Sequence, residues 1–226
     1  MKTRVTDYIK NKKNNPIGEY KIGNINVYVK EPLPENIDLQ RCLDYIFKYL
    51  PKIFYENVEM IMIGNFPFLQ QRKVDALYES GAIYISNKQN SEADLISDVV
   101  HEISHSYEEN NSEEIYSDGK VESEFLAKRY QLFNILKGRN LISSFPSQQE
   151  FANTEYNVEF DDYLYNTVGY PILTSLVMGL FVSPYGATSL KEYFANAFEE
   201  FFVNDVNVVK KISPSVYNKL INHVEL

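Results

Sequence analysis

Apolar and polar residues alternate through "EYKIGNINVYVKE" (19–31) on either side of Gly23-Asn24, and this two-residue period predicts strands joined by a turn. The period then changes. Leu39, Leu43, Ile46, Phe47 and Leu50 recur at helical spacing in "ENIDLQRCLDYIFKYLPKIF", and Pro51 ends the stripe. "NVEMIMIG" (57–64) and "GAIYIS" (81–86) are short apolar runs that predict two strands with a loop between them. Ser91 with Asp94 three residues on resembles a capping box, and Leu95, Ile96, Val99, Val100 and Ile103 form an apolar stripe after it. A helix through about Tyr107 follows from that pattern. The acidic, polar "EENNSEEIYSDG" (108–119) predicts a loop. Helices are predicted over about 120–137, about 147–166 and 171–182, with a turn at "SPYG" (183–186). "SLKEYFANAFEEFFV" (189–203) is helical, and Pro214 after Ser213 opens a closing helix. Strands early and helices late make the class α+β.

Composition narrows the picture. A chain of 226 residues fits one domain with a filled core, here 18–226 behind a lysine- and asparagine-rich lead-in over 1–17. The 18 Tyr and 14 Phe supply much of the core volume. A net charge of -9 and a pI near 4.9 argue against nucleic acid or an anionic membrane as the main partner. The N-terminus is basic without an apolar core, unlike a secretory signal, and "PILTSLVMGLFV" (171–182) is too short to span a bilayer. A cytoplasmic protein, or one exported without a signal peptide, is expected. The single cysteine, Cys42, permits no internal disulfide and reads as a buried small residue of the first helix.

The chemistry lies in "HEISH" (101–105), which holds two of the chain's three histidines. Residues i and i+4 on an α-helix lie about 40° apart in azimuth and about 6 Å along the axis. Two imidazoles at that spacing converge on one tetrahedral Zn²⁺. Glu102 lies about 100° round from His101, badly placed as a ligand but able to take a proton from water at the ion. His223, alone near the C-terminus, reads as a surface or capping residue. A catalytic zinc site needs a third protein ligand and an open fourth position. Two segments offer one: "VESEFLAKR" (121–129), with Glu122 and Glu124, and "SPYGATSLKEYFANAFEEFF" (183–202), with Glu192. Ser189 and Glu192 also stand at capping-box spacing.

"HEISH" followed by Tyr185, six residues and "EYFANAF" resembles the gluzincin peptidase family of anthrax toxin lethal factor and the Pro-Pro endopeptidases. The resemblance implies a zincin-like metallopeptidase fold, with a small N-terminal sheet, the HExxH helix and a helical C-terminal half. It implies that His101, His105 and Glu192 bind zinc, that Glu102 is the general base, and that Tyr185 donates to the oxyanion. A polypeptide substrate would lie along a sheet edge, for which "GAIYIS" is the expected strand. The long interval from His105 to Glu192 implies a helical insertion over about 115–182. The family's glutamate four residues after the ligand is Asn196 here, which can hydrogen-bond but carries no charge. Other readings are a zinc-containing binding module that does not cut, an effector directed at one host protein, and a peptidase whose third ligand is Glu122 or Glu124.

Overall fold

The structure, a computed structural model, describes residues 18–142 and 145–224. The lead-in expected over 1–17 lies outside the described residues. The chain divides into two compact units, one ending at Asn110 and one beginning at Asn111.

The first unit is built on a five-stranded sheet. β1 (Gly18–Ile22) and β2 (Ile25–Val29) form the expected antiparallel hairpin, turning at Gly23, whose positive φ of 58° suits a residue without Cβ. α1 (Leu39–Tyr49) carries the chain across to β3 (Met60–Gly64), parallel to β2. The segment expected as a loop contains two further elements, α2 (Pro67–Arg72) and β4 (Ala76–Glu79). β4 turns through Ser80 and Gly81, both at positive φ, into β5 (Ala82–Ser86).

Spatial order is β1-β2-β3-β5-β4, so β5 pairs with β3 on one side and β4 on the other. The expectation that "GAIYIS" is the edge strand is therefore corrected. Its alternate residues Ile83 and Ile85 continue two rows of buried side chains, Val27–Ile61–Ile83 and Val29–Ile63–Ile85. Burial of each contributes about 1.5–3 kcal/mol, which holds the strand in the interior. The strands at the two ends are β1 and β4, and the one beside β5 is β4.

α3 (Glu92–Tyr116) carries the HExxH motif and opens as predicted, with the Asp94 N–H donating to Ser91 Oγ at 3.1 Å. Its start is tied to α1, because Glu92 accepts from the Arg41 guanidinium and, at 2.8 Å, from the Asp38 N–H. Leu95, Val99, Val100 and Ile103 are buried as the stripe required, and Cys42 is buried in α1. The helix runs on to Tyr116, not to about Tyr107, so the expected acidic loop is mostly helix, interrupted by non-helical angles at Asn111. Buried Ile115 supplies the apolar position that the surrounding charges obscure.

The second unit is helical. α4 (Lys120–Gly138) buries Val121, Phe125, Arg129, Leu132, Phe133 and Leu136. The helix expected over about 147–166 is instead α5 (Gln148–Phe151), α6 (Val158–Asp162) and a π-helical turn (Tyr163–Gly169). Ser147 caps α5, and Asn157 starts α6 by accepting from the Glu159 and Phe160 N–H groups, which divides the run. α7 (Tyr170–Val177) stops short of residue 182, with Gly179 at a φ of 77° soon after it. A 3-10 turn (Tyr185–Ala187) leads to α8 (Leu190–Val203), followed by α9 (Val206–Ile212) and α10 (Pro214–Leu220). Strands in the first unit and helices in the second make the fold α+β.

A candidate metal centre

His101 and His105 share one side of α3, half-buried, with ring centroids 5.0 Å apart. Their spacing follows from the helix alone. Glu102 between them is buried, at 6% exposure, and its Oε2 accepts from the backbone N–H of Tyr78 in β4 at 2.6 Å. Glu108, one turn beyond His105, is also buried, and its Oε2 lies 3.6 Å from His105 Nδ1, within ion-pair range. A carboxylate there favours the tautomer protonated at Nδ1 and leaves Nε2 as the lone-pair donor.

Glu192 enters on the first turn of α8. Ser189 caps that helix, its Oγ accepting from the Glu192 N–H at 3.2 Å, which is one half of the capping box that the spacing suggested. The cap fixes where the turn begins and so where the carboxylate projects. Tyr185 sits just before it. Burial, then the charge of Glu192, raises the phenol's pKa, so the hydroxyl stays protonated and remains a donor. Asn196, one turn after Glu192, donates from Nδ2 to the Glu192 carbonyl at 2.8 Å and accepts from the Ser183 hydroxyl through Oδ1. Its amide thus bridges α8 to the turn that carries Tyr185.

One ligand atom from each of His101, His105 and Glu192 lies within 4.8 Å of the others. Two imidazoles and one carboxylate are a donor set used by catalytic zinc, and three ligands leave a fourth position for water or substrate. The residues fit the ion.

The rival carboxylates have other occupations. Glu124 accepts from the Tyr193 hydroxyl at 2.5 Å and from the Ser215 N–H at 2.9 Å, which secures the start of α10. Glu122 is exposed. Lys128, one turn after Glu124, donates from Nζ to the carbonyls of Leu180 and Ile212 at 2.9 and 2.6 Å. His223 Nε2 lies 3.0 Å from Glu114 Oε1.

Two groups carry weight that sequence reasoning missed. Arg129 is buried at 1% exposure and donates to the carbonyls of Ala187, Thr188 and Glu150 at 2.6, 3.1 and 2.6 Å. Phe160 lies 4.0 Å from its guanidinium carbon. Burial pulls its pKa down to about 9, still well above neutrality, so it remains a cation. Tyr78 is the other. An arginine at an otherwise apolar position of α4 was the available signal for the first; the Ser-Gly between two apolar runs was the signal for the strand that carries the second.

No helix among the described residues is long and apolar enough to cross a membrane. No protein-family model, curated protein or solved structure matches the chain.

Proposed function

We propose that the chain is a zinc metalloendopeptidase of gluzincin type with a zincin-like fold, acting on polypeptide. The observation that carries the reading is the grouping of His101, His105 and Glu192, with Glu102 directly after His101 and Tyr185 seven residues before Glu192. Zinc held there would supply Lewis-acid polarisation and a water of lowered pKa. The chain's own residues then divide the remaining work. Glu102 accepts a proton from the attacking water at a carboxylate oxygen and returns it to the leaving amine nitrogen. The Tyr185 hydroxyl donates to the oxygen of the scissile carbonyl as charge develops on it. Glu108 orients His105, and Asn196 holds the Tyr185 turn in place of the charged group that the resembling family carries. An extended peptide would add to β4, the strand at the sheet's end, through backbone hydrogen bonds.

The test is direct. Purified protein loaded with zinc should hold close to one equivalent and cleave members of a peptide library, and Glu102→Ala should hold the metal and cut nothing. Failure to retain zinc, or equal cleavage by both proteins, refutes the proposal.

A further inference from the structure

The geometry points to Tyr78 as a positioning residue: its backbone N–H orients the Glu102 carboxylate while its hydroxyl locks the edge strand onto the motif helix. This inference rests on the hydrolase reading for its purpose, though not for its geometry. The parity of β4 is fixed by the ladder. Ser86 N–H donates to the Asp75 carbonyl at 2.7 Å, so Asp75, Leu77 and Glu79 face β5 and the backbone groups of Ala76 and Tyr78 face away. On an open edge the Tyr78 N–H would meet water. Here it donates to Glu102 Oε2 at 2.6 Å. A bond to an ionised carboxylate is stronger than a neutral one, and it takes one of about four acceptor sites. The group is aimed without losing its capacity to take a proton.

The side chain makes the second attachment. Tyr78 Oη donates to Glu109 Oε2 and accepts from the Gly81 N–H at 3.0 Å. Glu109 stands two helical turns after Glu102, on the same side of α3. One residue therefore grips the helix at two points about 10 Å apart along its axis, with the hairpin tip joined to the second. Sliding of β4 by one residue would break both. The strand offered to a peptide and the base that acts on it are thereby set in register by a single residue.

The assay is amide hydrogen exchange on the full chain, with kinetics beside it. In Glu102→Ala the Tyr78 amide should exchange at least about tenfold faster than in wild type, while the Ser86 amide, in the ladder, keeps its rate. Tyr78→Pro removes the N–H at a position where the ladder loses no bond and an edge strand tolerates proline. It should retain zinc and lower kcat about tenfold or more with KM within about twofold. Tyr78→Phe should keep the protected amide at 78 and lose less of kcat. Equal exchange of the Tyr78 amide in wild type and Glu102→Ala overturns the inference, whatever the activity and even if Tyr78→Pro does not fold. A protected amide with no cleavage by wild type would instead refute the hydrolase reading.

Discussion

Replacing Arg129 with methionine tests how far the helical unit depends on one buried cation. Methionine keeps an unbranched apolar stem that reaches only as far as the arginine Nε, so it loses the guanidinium's contacts with Phe125, Phe151 and Phe160 and donates nothing to the carbonyls of Glu150, Ala187 and Thr188. Each hydrogen bond from a charged donor contributes about 1.5–3 kcal/mol. Against that stands the cost of burying the guanidinium, several kcal/mol, increased by an Nε that has no hydrogen-bond partner. Buried carbonyls left without this donor cost about 1–3 kcal/mol each, so the net loss after the relieved desolvation is about 3–5 kcal/mol, a large share of the roughly 5–15 kcal/mol that holds a domain together. Urea unfolding followed by circular dichroism should show the midpoint falling accordingly, with Arg129→Lys intermediate because an ammonium cannot span three separated acceptors. Zinc retention should fall too, since two of the three carbonyls lie between Tyr185 and Glu192. A midpoint within about 1 kcal/mol of wild type, at unchanged denaturant slope, would refute the account.

Other outcomes follow from the same contacts. Glu192→Ala should weaken zinc retention far more than Glu124→Ala; the latter should instead cost about 1–3 kcal/mol of stability, because the Ser215 N–H loses its acceptor. Tyr185→Phe should lower kcat about 10²–10³-fold with the metal retained. Burial pushes the Cys42 thiol up to about 12, so a disulfide-exchange reagent at mildly alkaline pH should label it only after denaturation. Burial, and then the Glu192 charge, raises the Asp161 carboxyl, while the Tyr156 hydroxyl bond opposes the shift. An acid with a raised folded pKa loses stability as pH climbs from its unfolded value through its folded one. Asp161→Asn should therefore raise the unfolding midpoint near neutrality, with the gain vanishing below about pH 4.

The legible parts were those governed by a local rule. Helical spacing puts His101 and His105 on one side of α3, and Ser91 and Ser189 each mark a helix start that the structure repeats. Glu192 was reached only through a motif resemblance, because nothing local tells a helix-capping glutamate from a ligand. β4 was overlooked since three apolar-leaning residues make a weak periodic signal, although Ser80-Gly81 is a hairpin sequence. The extension of α3 beyond Tyr107 was hidden by charges that polarity alone assigns to a loop. Arg129 eluded reading because its partners are carbonyls, which any sequence supplies; only the folded chain reveals which of them face its guanidinium. The role of Asn196 likewise depends on Ser183, thirteen residues away.

The turn bearing Tyr185 is secured by Asn196 through Ser183, by Arg129 at Ala187 and Thr188, and by its own Thr188 hydroxyl on the Tyr185 carbonyl at 2.7 Å. Loops ordinarily surrender conformational freedom when a guest arrives, and affinity suffers for it. Here that freedom is relinquished while the polypeptide folds. The backbone that carries the phenol is already in place, so a ligand binding beside it would have no ordering of this segment to accomplish.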